Sequence, residues 1–309
     1  ITCRDWSSDV CSSDLAVPTA AIIDFSPRQD ISASFAVDAL SVVLADDYGL
    51  TRAALEWTFQ RGMDGGAHGD AIEIPIPSGV REATPSMAFS AAAVAPDQAP
   101  LPNDRIRVNI RVWDNHSERT RTASIPSHQD GVSRTVELWI KSDADIAAAQ
   151  LKRERDLFTA VTELVEQQQR ARRDTEDALT DIRNGVPFAG APREAIRSAR
   201  RRQADVAAGA RLLAKRLADL RKDAARNRVG DADQDAHLQA MVESTLAVEP
   251  SVTDAQDRLK TAATVDGDVE RIEALSDASL SELEAERRLD AIRSAMANRL
   301  QASNLLVLA

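Results

Sequence analysis

The sequence predicts an α+β chain whose two kinds of structure lie in separate domains: an amino-terminal Ig- or fibronectin-III-like β-sandwich, then an all-α region of coiled-coil helices or helical hairpins. Three observations predict it. Apolar residues alternate with period two as far as about residue 141. From Ser142 the period becomes the alternating three and four of a heptad. Turn clusters rich in Gly, Pro, Asp and Asn punctuate the first part and nearly vanish from the second.

The strands are read in order. "AAIIDF" (20–25) is short and ends before Pro27. "SFAVDALSVVLADD" carries Phe35, Val37 and Ala39 in alternation, then Val43 and Ala45 on the same parity. "AALEWTF" directs Ala53, Leu55, Trp57 and Phe59 to one face, and "AIEIPI" does the same with Ile72, Ile74 and Ile76. "SMAFSAAA" is a further candidate. The alternation is strongest in "RIRVNIRVW": Ile106, Val108, Ile110 and Val112 against Arg105, Arg107, Asn109 and Arg111. "RTRTASI" and "TVELWI" complete the set, the latter with Val136, Leu138 and Ile140 inward. Seven or eight short strands in this span fit a sandwich over 18–141.

The helices occupy 142–309, at about 143–184, 192–229, 231–264 and 267–303. The first opens on a Ser/Asp cap and stops at Gly185. Its seam is Leu157, Val161, Leu164, Gln168, Ala171, Thr175, Ala178 and Ile182, a heptad with two polar layers. The second has Pro192 in its first turn and the seam Ile196, Ala199, Gln203, Val206, Ala210, Leu213, Leu217, Leu220 and Ala224. The third reads as stopping near Pro250, with a short helix following. The last uses Val269, Ile272, Leu275, Leu280, Leu283, Leu289, Ile292, Met296 and Leu300, with a register slip between Leu283 and Leu289. Residues 191–229 hold twelve Lys/Arg and four Asp/Glu; residues 231–290 hold five and sixteen. Opposite signs of that size favour packing of these helices on one another.

Residues 1–15 stand apart. "DWSSDVCSSDL" (5–15) matches one reading frame of a common sequencing-library adapter, so the segment is read as an artefact and excluded from fold reasoning. It contains both cysteines, Cys3 and Cys11, whose spacing suits neither a zinc knuckle nor a C-x-x-C redox pair. Position 1 is Ile and the chain stops in "NLLVLA", so both ends are read as truncations.

Composition disfavours several functions. A net charge of −11 argues against a whole-chain nucleic-acid binder, and aromatics at 4% argue against a deep aromatic-lined pocket. No apolar run reaches the roughly 20 residues of a membrane-spanning helix. The histidines, His68, His116, His128 and His237, form no H-E-x-x-H, and no G-x-S-x-G is present. No catalytic residue, cofactor or metal site is expected, and the chain is read as not an enzyme.

Four weaker signals are read as structural. "ADDYGL" (45–50) and "VWDNHSE" (112–118) would be the B–C and F–G turns at one end of a sandwich, bringing Asp46, Asp47, Asp114 and Asn115 together as a calcium clamp. Asx-turn chemistry accounts for the same residues and is favoured. "GMDGGAHG" (62–69) lacks the phosphate-loop pattern and reads as a hairpin loop. "RSARRRQ" (197–203) offers a basic face, but its acidic partner lies in the same chain. "DADQDAHLQAMV" places Asp231, Asp233 and Asp235 as an EF-hand loop would, yet has Ala236 and Val242 at the obligatory Gly and Glu positions.

A sandwich carrying "ADDYGL" and "VWDN", then "VELWIKSDADI" leading into a long coiled coil, resembles a set of large uncharacterised bacterial envelope proteins over about residues 20–184. The resemblance implies a membrane-anchored parent with the anchor upstream and this segment on the periplasmic or external face. The expected function is structural or scaffolding: the sandwich as spacer or binding module, and the coiled coils for self-association or protein partners. Two alternatives stand beside it: a calcium-dependent adhesion or ligand-binding module, and an intracellular coiled-coil factor contacting nucleic acid through Arg197 to Arg202.

Overall fold

The structure is a computed structural model that describes residues 18–62, 65–95, 99–114, 131–230 and 232–307. The adapter-like segment, "RTRTASI", Asn115, His116, His128 and Asp231 lie outside the described residues. Two compact units emerge. The first runs to Ile146 and includes Arg226–Arg228; the second comprises Ala147–Ala225 and the chain from Val229.

The first unit corrects the sandwich. It is one strongly curled, mixed sheet, a half-barrel, and not two facing sheets. Its strands are β1 (Thr19–Ile22), β2 (Arg28–Ser32), β3 (Ala36–Gln60), β4 (Ala67–Ile74), β5 (Val80–Ala83), β6 (Ser86–Ser90), β7 (Arg105–Asp114), β8 (Gly131–Val132) and β9 (Val136–Lys141). The order is β1-β3-β7-β9-β2, with β4, β5 and β6 also on β3 and β8 on β7. All pairings are antiparallel except β2 with β9.

The physical reason is β3. A sandwich needs the chain to leave one sheet between "LSVVLADD" and "AALEWTF", but here it continues as a single 25-residue strand. Bulges bend that strand instead, with register shifts between Val37 and Leu40, between Ala45 and Leu50, and between Leu50 and Arg52. A strand so bent pairs with five neighbours and wraps the sheet about its own concave face. "ADDYGL" is therefore a bulge inside β3, and no B–C turn exists there. Gly49 sits at φ +105°, where a Cβ would stand 2.8 Å from the Gly79 carbonyl oxygen. Asp46 Oδ2 accepts the Gly49 N–H at 2.7 Å and holds the turn.

The bulges also correct the parity. Val37 is buried, but Ala39 is exposed; Leu40, Val42 and Leu44 point inward in place of Val43 and Ala45. Beyond the bend Ala53, Leu55, Trp57 and Phe59 are buried as read. So are Ile106, Val108, Ile110 and Val112 on β7, and Val136, Leu138 and Ile140 on β9. In β4 only Ile74 is buried, and Ile72 is exposed. Arg226–Arg228 count with this unit through polar bonds: Asn227 Oδ1 accepts the Ser32 N–H at 2.7 Å, and Arg226 pairs with Asp24 at 2.8 Å, both side chains buried.

The second unit is helical: α1 (Asp143–Arg183), α2 (Ala191–Asn227), α3 (Ala232–Leu246), α4 (Val248–Thr264) and α5 (Asp268–Val307). At the start of α1, Ser142 Oγ accepts the Asp145 N–H and donates to Asp145 Oδ2, a reciprocal cap. Pro250 lies in the first turn of α4 and does not stop α3, which ends at Leu246.

The coiled-coil expectation is likewise corrected. Every residue assigned to the seams of α1 and α2 is buried, but in an interior shared by all five helices. Leu157, Val161 and Leu164 pack with Val206, Leu213 and Leu217 of α2, with Leu238 and Met241 of α3, with Val248 and Val252 of α4, and with Leu289 and Ile292 of α5. Small side chains make this closure feasible: Ala171, Ala178, Ala199, Ala210, Ala278 and Ala285 occupy layer positions. At Gly209 a Cβ would come within 2.4 Å of Leu164 Cδ2, so any side chain there would require Leu164 to shift. The apolar line of α5 runs Leu275, Ala278, Glu282, Ala285, Leu289, Ile292 and Met296 without a slip, while Val269 and Leu280 are exposed. No described helix is long and apolar enough to cross a membrane.

Candidate functional site

The line on α5 passes through a charged residue, and there the helices assemble a polar layer. Gln168 and Thr175 from α1, Gln203 from α2 and Glu282 from α5 are each fully buried, at 0% exposure. Gln168 Nε2 donates to the Glu282 backbone carbonyl at 3.0 Å. Gln203 Nε2 donates to Glu282 Oε1 at 3.0 Å. Thr175 Oγ1 lies 3.0 Å from Glu282 Oε1 and 3.2 Å from the Ala171 carbonyl, with one hydroxyl proton to serve either. Glu282 Oε2, Gln168 Oε1 and Gln203 Oε1 are buried with no hydrogen-bond partner among the described residues.

Burial pushes the Glu282 carboxyl up to about 7 from an ordinary 4.5; the Thr175 and Gln203 hydrogen bonds oppose the shift, Glu176 adds to it, and Arg172 pulls against it. Arg172 itself is engaged at the rim, with Glu286 at 2.9 Å and Glu176 at 2.7 Å. Chemically, the layer can hold a proton near neutral pH.

A half-buried ion pair lies in the same unit. Arg299 donates two hydrogen bonds to Glu154, at 2.8 and 2.9 Å, in a bidentate fork. His237 is held below its ordinary value by burial and then by Arg299, with Glu154 opposing.

In the sheet unit the solvent-facing parity of β7 carries arginines, as the alternation predicts. Arg107 pairs with Glu137 at 3.1 Å and Arg111 with Glu56 at 2.6 Å. Arg105 takes a different partner: its guanidinium lies 3.5 Å from the centre of the Trp139 ring. Arg28, from the strand on the other side of β9, lies 4.4 Å from the same ring, and Lys141 Nζ lies at 5.8 Å. Three cations thus converge on one half-buried indole. Elsewhere on the unit a shallow cleft of about 300 Å³ is lined by Pro75, Ile76, Pro77, Val80 and Pro85, with Glu82 and Thr84 its polar groups.

The residues singled out in the sequence fare differently. Asp46 is committed to the Gly49 turn, Asp47 is exposed, and register places the Asp114 backbone opposite Leu50. Of "GMDGGAHG", residues 67–69 belong to β4, which pairs antiparallel with β3, Gln60 opposite Ala67; Met63 and Asp64 lie outside the described residues. His68 packs edge-on against Trp57, ring centres 5.5 Å apart. In the basic stretch Arg197 pairs with Glu194 at 2.7 Å and Arg202 with Asp174 at 3.0 Å, while Gln203 points inward to Glu282. Asp235 pairs with Arg221 at 2.6 Å, and Asp233 lies in the first turn of α3. Among the described residues no group of three or more His, Cys, Asp or Glu is placed to hold a metal ion.

Gln168, Thr175 and Gln203 were visible in the sequence as polar seam positions. Glu282 was not, because a glutamate in a charged helix reads as solvated. The missed signal is phase: 282 lies seven residues from both Leu275 and Leu289.

No family model matches the chain, and no curated protein matches it. Among solved structures it is similar to one titled "pT26-6p", with 10% identity and a TM-score of 0.25 over 86% of this chain. The chain spans 43% of the length of that structure. A likeness this loose carries no argument about fold or function.

Proposed function

We propose that this chain is a non-enzymatic structural or scaffolding protein of the bacterial cell envelope, with the curled-sheet unit as its binding module. The partners in this reading are proteins with acidic surfaces, further copies of the chain among them. The observation that carries it is the Trp139 platform, where Arg28, Arg105 and Lys141 converge within 5.8 Å of one ring. A chain of net charge −11 presents ample acidic surface to such a platform. The envelope placement draws on the resemblance of "ADDYGL", "VWDN" and "VELWIKSDADI" to envelope proteins, with membrane attachment through a segment outside this chain. The apolar layers of the helices are spent on one another, so association is assigned to the sheet face and not to the helical seams.

Sedimentation velocity over a range of concentrations, at low and high salt, tests the reading. The expected result is association that weakens with salt and disappears in the double variant Arg28→Glu, Arg105→Glu. A monomer at every concentration and salt, or association unchanged in the double variant, overturns it.

A further inference from the structure

The polar layer of the helical unit has a hydrogen-bond imbalance. Its unpartnered buried atoms are all oxygens: Glu282 Oε2, Gln168 Oε1 and Gln203 Oε1. Leaving such acceptors without donors is costly in a closed interior. An ionised carboxylate aggravates the shortage, since it accepts only. A proton on Glu282 adds one donor where donors are lacking. It also lets the carboxyl donate to Thr175 Oγ1, whose own proton is then free for the Ala171 carbonyl at 3.2 Å.

We propose that the Gln168–Thr175–Gln203–Glu282 layer is a proton-operated lock: the proton on Glu282 eases the layer's shortage of donors, and its release loosens α1, α2 and α5 around it. The inference is independent of the proposed function, because it concerns the helical unit alone.

The charged surroundings do not supply a substitute for the proton. From α1, Arg172 and Glu176 face the carboxyl, and they bind each other at 2.7 Å. From α5, Glu286 takes the remaining side of Arg172 at 2.9 Å. From α2 the facing group is the uncharged Gln203, while Arg202 is turned to Asp174 at 3.0 Å. From α4, Arg258 pairs with Asp277 at 3.0 Å and Asp254 binds Ser281, so neither reaches the layer.

The pH window follows from linkage. Glu282 titrates near 4.5 in the unfolded chain and near 7 in the folded one. Between those values the folded state holds a proton that the unfolded state has lost. The stabilisation is therefore fully present below about 4.5, falls as pH rises through about 7, and is gone above it.

Amide hydrogen exchange on the full chain at about pH 5.5 and about pH 8.5, corrected for intrinsic rates, reads the lock. In the wild type, opening at residues flanking the layer on α1, α2 and α5 is expected to rise roughly thirtyfold between the two pH values. In Glu282→Gln, which keeps the shape and cannot ionise, the rise is expected to vanish; in Glu286→Gln, at the rim, it persists. Equal pH dependence in the wild type and Glu282→Gln overturns the proposal. A second readout needs no variant: in wild-type protein with carboxyl-labelled glutamate, one carbon resonance is expected to remain in its acid form at about pH 6, where other glutamates are ionised. If every glutamate has titrated by then, the lock does not exist.

Discussion

Gly49 shows how one residue decides the shape of the sheet. The tetrapeptide Asp46–Gly49 reads correctly from sequence as turn chemistry, with an Asx acceptor followed by a residue at positive φ. What such chemistry does depends on its neighbours. Here it forms a bulge in a continuing strand, because Gly79 and Val80 dock against Gly49 and Leu50 and supply the missing pairing partner. Gly49→Ala would require a strained φ and drive its Cβ into the Gly79 carbonyl. The expected cost is about 1–3 kcal/mol in the denaturant unfolding of the sheet unit. Glu282 teaches the complementary lesson. Its residue type is uninformative, since glutamates cover every exposed helix face, and only its phase against Leu275 and Leu289 reveals that it lies inside.

The elements were legible in proportion to how little they depend on distant partners. β7 alternates without interruption and has its apolar face buried along its length, so its parity survives folding. β3 carries the same signal in two pieces, but the bulge at Asp38 and Ala39 shifts the phase between them, and an inserted residue leaves no mark on composition. β2, "RQDIS", has a single aliphatic residue, Ile31, and becomes a strand only because β9 pairs with it in parallel. Among helices, α5 shows the difference between an apolar residue and a core position. Leu280 is 66% exposed, whereas Leu275, on the phase of Glu282, is fully buried. Leu275→Ala is expected to cost about 2–5 kcal/mol and Leu280→Ala no more than about 0.5 kcal/mol, measured by chemical denaturation of the two variants side by side. Similar losses in both would return α5 to the register with a slip near Leu283.

On the scale of the whole chain, the change from period two to heptad spacing at Ser142 separates strands from helices, but the architecture on either side needed the structure. Alternation says that a sheet has an inside; it does not say whether that inside faces a second sheet or the sheet's own curl. A heptad says that a helix has a partner; small layer residues such as Ala178, Ala199 and Ala278 let several helices share one interior instead of pairing off. The parallel pairing of β2 with β9 has a consequence for how the protein is made. Arg28 meets Glu137, and Ser32 meets Lys141, across about a hundred residues of intervening chain. During synthesis β2 leaves the ribosome long before its mate, so Ile31 must wait for its burial while most of the sheet is still being translated. A chain halted before Val136 is expected to show no cooperative unfolding transition and to bind a hydrophobic dye, whereas one extended through the helical unit unfolds cooperatively. The sheet unit is thus a late-closing structure, and the nascent chain's need for shelter is greatest while the strand that closes it is still unmade.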